Sequence, residues 1–281
     1  MKEKYKLIHC YVAQLDDLAE DNIVDIPIRS EAVAFLAARY CLPNIRGLDS
    51  IGMSGGQPVA RFFDLLPPYC QDVSGITWLS LLATQRHLCV APMGGSANGI
   101  ISRLLYNQPH TKGFALPFIN FSRRDLEHYR TSTGTEKDEL DFAKTTLRKA
   151  AYVQAVFLCV GTPGVDYRTT ATEILNPELV ELFTQLSDHD RELCQGDLLL
   201  YLLDGIGNRI GSENQKQMND ALVYSIGLND LQNMVKSKKQ VWVLSESRQK
   251  AKMIKAILRA GMVNCLVIEN GIADELLDSS I

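Results

Sequence analysis

The sequence predicts an α/β fold: a mostly parallel sheet flanked by helices. Short apolar runs rich in Val, Ile, Leu and Cys alternate with longer stretches of helical period, the pattern of buried parallel strands joined by crossover helices. Three of the runs pass directly into glycine-bearing turns followed by helical sequence, as strand-to-helix junctions in open sheets do. With 281 residues, 46% of them hydrophobic, the chain can bury a substantial core as one large domain or two smaller ones.

The first strand is expected over Lys6–Val12 and the first long helix over Ser30–Tyr40, where Ser30 can cap the opening turn and Val33, Phe35, Leu36 and Tyr40 form an apolar stripe. Pro43 is expected to stop that helix. A second strand, Leu48–Met53, precedes a helix from about Pro58 to Leu66 that Pro67 and Pro68 should end. Two strands follow, His87–Pro92 and Gly113–Ile119, and then a polar loop at Tyr129–Glu136. The helix Lys137–Lys149 turns Leu140, Phe142, Ala143 and Leu147 inward and leads to the strand Val153–Val160. A helix over Pro177–Leu186 is followed by Ser187–Asp190, read as a solvated turn rather than a metal site. Gly205–Asp220 interrupts the alternation with turn residues and charge, as a hairpin region or a loop over a site would. The strand Val241–Leu244 then leads to the helix Gln249–Ala260. There Met253, Ile254, Ile257 and Leu258 form one stripe and Gly261 provides the C′ stop. Cys265–Ile268 is the last strand.

Composition limits the function. Against 33 Asp and Glu stand 29 Lys and Arg, a net charge of −4 without a basic block, so a large nucleic-acid footprint on these residues is not expected. The seven cysteines include no C-x-x-C pair and no histidine at zinc-ligand spacing; they read as reduced thiols, which points to the cytoplasm. Met1–Lys6 carries charge but no apolar core of signal-peptide length follows it, and no window approaches the ~18 apolar residues of a membrane span. No metal or cofactor is expected.

The glycine-bearing turns are where chemistry is expected. They are Ile51–Pro58, with Ser54, Gly55, Gly56 and Gln57; Ala91–Gly99, with Gly94, Gly95 and Ser96; and Val160–Gly164, with Gly161, Thr162 and Pro163. Each can turn backbone amides and a helix N-terminus toward an anion. Each also fits a tight turn that needs only glycine and a capping hydroxyl. Neither G-x-G-x-x-G nor G-x-x-x-x-G-K-[ST] is present, so neither a dinucleotide fingerprint nor a P-loop is supported. Lys250, opening the last long helix, can reach the carboxyl edge of the sheet or sit in solvent. Asp204, after Leu198–Leu203, can accept sugar hydroxyls or serve the turn before Gly205.

Taken together, Ile51–Ala60 with Leu65-Leu-Pro-Pro68, Val90–Gly95, Gly113–Pro117, Ala155–Pro163, Gly196–Asp204, Ile226–Leu231, Val241–Ile254 and Ala260–Val267 resemble, in order and spacing, the effector-binding domain of the SorC family of sugar-responsive bacterial transcriptional regulators, related to DeoR-type regulators. The resemblance implies a NagB/RpiA/CoA-transferase-like α/β fold over residues 1–281, oligomerisation of copies of the domain, and binding of a phosphorylated sugar or related carbohydrate. It implies a phosphate-cradling role for Ser54, Gly55, Gly56 and Gln57, with Gly94, Gly95 and Ser96 in support. Gly161, Thr162 and Pro163 become a second substrate-facing loop, Asp204 a hydroxyl-binding acid and Lys250 the lysine of the late helix.

Three departures accompany it. The family's Gly-Gly before that lysine is Glu246-Ser247 here, adding negative charge where an anion would approach. Gln71–Gln85, with Trp78, looks like an insertion able to cover the site or to make a contact peculiar to this protein. No recognition helix of a helix-turn-helix module is visible, so DNA would be reached only through such a module outside these residues. The leading expectation is a non-catalytic sensor. The alternative is a sugar-phosphate isomerase- or deaminase-like enzyme using Asp204, Lys250 or Glu246 for proton transfer, and a third is a degenerate oligomerisation or partner-binding module.

Overall fold

In the computed structural model, which describes residues 1–15, 26–69, 73, 75–82, 96–107, 111–116, 135–162, 183–222 and 225–278, the apolar runs of the sequence become neighbouring parallel strands. A short helix α1 (Lys2–Tyr5) precedes β1 (His9–Ala13), α2 (Ile26–Ile45), β2 (Ser50–Met53) and α3 (Gln57–Tyr69). Then come β3 (Thr77–Ser80), α4 (Ala97–Asn107), β4 (Lys112–Phe114), α5 (Thr135–Ala150), β5 (Ala155–Leu158) and β6 (Val160–Gly161). The last third holds α6 (Asp188–Leu193), β7 (Gly196–Leu198), β8 (Tyr201–Leu203), α7 (Glu213–Leu222), α8 (Leu228–Lys236), β9 (Gln240–Ser245), α9 (Ala251–Arg259), β10 (Cys265–Glu269) and α10 (Asn270–Leu277).

Seven strands make one sheet in the order β1-β10-β9-β5-β2-β3-β4, parallel throughout, and β6-β7-β8 form a small antiparallel sheet. Because side chains alternate across a strand, each central strand serves two cores. Trp78, Phe157, Trp242, Leu244 and Val267 point to the side covered by α2, α3 and α4, against Val33, Cys41, Phe62 and Ile100. Leu79, Val156, Leu158, Val243 and Ile268 point to the other, against Met234, Met253, Ile257 and Ile272 from α8, α9 and α10. Burial on both faces explains why these runs carry almost no polar residue.

Several expectations need correction. α2 continues through Pro43 to Ile45. Cys41, Leu42 and Ile45 are at most 5% exposed, and burying such side chains at roughly 1.5–3 kcal/mol each outweighs a proline's cost of about 3 kcal/mol. Ser30 consequently lies inside the helix, buried, its Oγ without a hydrogen-bond partner among the described residues, and is not a cap. α3 likewise runs past Pro67 and Pro68 to Tyr69. The segment read as an insertion contributes β3, paired with β2 and β4, and its Trp78 is fully buried in the core. Ser187 caps a true helix, accepting from the Asp190 amide at 3.0 Å. In Gly205–Asp220 the turn residues are followed by the start of α7.

Gly261 ends α9 at φ 67°, the left-handed C′ position anticipated for it. The strand expected at His87–Pro92, the loop Tyr129–Gly134 and most of the helix Pro177–Leu186 lie outside the described residues. Among the described residues no helix is long and apolar enough to cross a membrane.

Candidate functional site

The strand order singles out one candidate place for a ligand. From β2 the chain winds outward through β3 to β4, then returns to β5 on the other side of β2 and winds through β9 to β10. The carboxyl ends of β2 and β5 therefore diverge at a topological switch point, the place where open α/β sheets bind ligands.

Two of the three glycine-bearing turns lead away from this point. Ser54 follows β2 and is buried: its amide donates to Phe157 O at 2.9 Å, its hydroxyl donates to Gly55 O at 2.9 Å, and its Oγ accepts from the Cys159 amide at 3.1 Å. Ser54 thus fastens the end of β2 to the end of β5. Gly56 has φ 118°, and a Cβ there would fall 2.5 Å from Cys159 Cβ. Only glycine lets α3 begin this close to β5. Gln57, the first residue of α3, is exposed, while Gly55 and Gly56 are half-buried. Across the junction, Gly161 pairs with Asp197 in the small sheet and Thr162 is buried.

The remaining candidates divide. Ser96 accepts the Gly99 amide at 3.0 Å as the cap of α4. Gly94, Gly95 and Pro163 lie outside the described residues. Asp204 directs Oδ1 to the amides of Ile206 (3.0 Å) and Asn208 (2.8 Å), so its carboxylate is committed to its own turn, one of the two roles open to it in the sequence. The β7–β8 hairpin places it at the same end of the small sheet as Thr162.

Lys250 is not a surface lysine. It is 5% exposed, and its Nζ donates to Glu246 Oε1 at 3.3 Å. Glu246 follows β9 and is 3% exposed. The adjacent strand repeats the arrangement: Glu269 ends β10, fully buried, and its Oε2 accepts from Arg29 Nη1 of α2 at 2.8 Å. Ser245 pairs with Ile268, so the two glutamates follow each other across neighbouring strand ends. Between Glu246 and the turn Arg248–Lys250, Ser247 adopts φ 73°, a backbone conformation suited to glycine. Neither Arg29 nor Glu269 stood out in the sequence. The available signal was a lone carboxylate at the end of the otherwise apolar run Cys265–Ile268.

Among the described residues no group of His, Cys, Asp and Glu could hold a metal ion. No protein-family model matches the chain, and no curated protein sequence matches it. Solved structures do match. A DeoR family transcriptional regulator from Listeria monocytogenes is similar at a TM-score of 0.70 and 19% identity, covering 98% of this chain and 96% of that one. The full-length sorbitol operon regulator SorC from Klebsiella pneumoniae gives 0.73 and 15%, covering 99% of this chain and 79% of that one. A domain of the transcriptional regulator DeoR from Pseudomonas syringae pv. tomato, described as sugar-binding, gives 0.64 and 18%, covering 98% and 94%. At these identities the likeness establishes the fold, and it is the fold that the SorC resemblance led us to expect.

Proposed function

We propose that the chain is the effector-binding part of a carbohydrate-responsive transcriptional regulator. Its effector, a sugar phosphate or a related carbohydrate, binds at the carboxyl edge of the sheet and shifts an equilibrium between oligomeric states that a DNA-binding module reports. The observation that carries this reading is the junction of Ser54–Gln57 with Cys159–Thr162 at the switch point. The similarity to regulators of the DeoR and SorC type supports it. A sensor requires a ligand with different affinities for the two states and no turnover. An enzyme would require an acid and a base free to act on the substrate, and at this edge Glu246 and Lys250 are engaged with each other.

The test is a thermal-shift and light-scattering screen of the chain against sugars, sugar phosphates and inorganic phosphate, because a ligand binding only the native state raises stability by RT ln(1 + [L]/Kd). The expected result is stabilisation by one carbohydrate with a change in oligomer distribution and recovery of the compound unaltered. Chemical conversion of the compound would support the isomerase-like reading, and stabilisation by none would support the partner-binding one.

A further inference from the structure

The Glu246 and Glu269 carboxylates each leave one oxygen, Oε2 and Oε1 respectively, buried and without a hydrogen-bond partner among the described residues. We propose that the effector meets the β9–β10 edge with hydrogen-bond donors, so that the hydroxyls of an uncharged carbohydrate, and not a phosphate, lie against these two glutamates. The inference rests on the carbohydrate-effector reading and narrows it to a ligand class.

Two observations carry it. The Arg248–Lys250 turn leading into α9, and α10 itself, begin just after the two glutamates. The chain's own carboxylates therefore take the position at helix starts that otherwise favours a bound anion. In addition, an unsatisfied buried carboxylate oxygen calls for a donor, which a hydroxyl supplies and a phosphate dianion does not.

The test uses the whole chain and matched pairs, a hexose, a pentose and a hexitol each with and without a terminal phosphate, measured by isothermal titration with inorganic phosphate as competitor. The uncharged member of the binding pair is expected to bind at least tenfold more tightly and to be unaffected by inorganic phosphate. Glu246→Gln, which keeps the shape and removes the charge, should narrow that preference at least tenfold. Glu246→Gln/Lys250→Met, which also removes the cation left behind, should retain the fold and bind neither member well. Tighter binding of the phosphorylated member by the unaltered chain would overturn this inference and leave the effector reading standing. Binding of no member would count against both. A preference for the uncharged member that Glu246→Gln leaves unchanged would overturn the assignment to this edge.

Discussion

The Arg29–Glu269 pair allows a quantitative test of how dry the carboxyl edge is. Its side chains are 6% and 1% exposed and its atoms 2.8 Å apart. At an effective dielectric of about 20 the attraction is roughly 6 kcal/mol, set against several kcal/mol of desolvation for each ion, so the intact pair contributes little net stability. Removing one partner is different, because the surviving charge stays buried after losing its counter-charge at 2.8 Å, at a cost of about 3–5 kcal/mol. Glu269→Leu and Arg29→Met should each destabilise by that amount, while the double substitution should lie within about 1 kcal/mol of the parent or above it. In urea, with a slope of about 3 kcal/mol/M, a loss of 4 kcal/mol lowers the midpoint by about 1.3 M. The exposed pair Arg103–Asp64, at 35% and 39% side-chain exposure, is the control: Asp64→Asn should cost only about 0–1 kcal/mol, less in high salt. Additive losses in the Arg29/Glu269 cycle, or single losses as small as the control's, would mean that water reaches this edge and would refute the argument.

Further outcomes follow from the same geometry. Gly56→Ala combines a backbone at φ 118° with a 2.5 Å approach to Cys159 Cβ; it should cost about 3 kcal/mol or more in chemical denaturation. Adding Cys159→Gly should recover the steric part only. Ser247→Gly should instead stabilise, since relief of about 1–3 kcal/mol of strain at φ 73° exceeds glycine's entropy cost of about 0.5–1 kcal/mol; a rise of roughly 2–4 °C in Tm is expected, and a fall would contradict it. Burial pushes the thiols of Cys194 to about 11 and Cys265 to about 12, and Cys41 well above the ordinary value of 9.0. The unfolded chain therefore loses these protons first as pH rises, and stability should fall above pH 9 by up to about 1.4 kcal/mol per pH unit for each thiol until its folded pKa is reached. Urea midpoints between pH 8 and 10.5 test this, with Cys265→Ala flattening the slope; a pH-independent midpoint would refute it.

The sheet was legible where strands are buried on both faces, because a run such as Val241–Leu244 or Cys265–Ile268 has no other stable use. Short elements with unusual turns were less so. The β7–β8 hairpin turns on Leu199 and Leu200 at φ 55° and 68°, positions where Asn-Gly would have signalled a hairpin. The Leu200 amide is instead held by Asp197 Oδ2 at 3.0 Å. Proline misled at Pro43 because tertiary burial outweighed a local penalty. Within the site, Ser54, Gly56 and Lys250 could be located by their place after strands β2 and β9. The Arg29–Glu269 partnership, between residues 240 positions apart in the chain, could not.

Glu246-Ser247 shows how the charge at such an edge can be separated from the fold. Ser247 holds a conformation that suits glycine. The end of β9, the Lys250 amide bond to Ser247 O at 3.0 Å and the docking of Met253 and Ile254 must therefore over-determine the backbone path strongly enough to carry a few kcal/mol of strain. A path fixed from both sides tolerates a change of side chain without rerouting, so a carboxylate can be set beside Lys250 at the same backbone position. What changes is the charge that a ligand meets and the balance of donors and acceptors offered to it. The strain at Ser247 and the ion pair at Glu246 are thus separable. Ser247→Gly should raise stability and leave the uncharged-over-phosphorylated preference as it is, whereas Glu246→Gln should alter that preference with the backbone unchanged. Coupling of the two effects in the double variant would show instead that the turn and the ligand site move together.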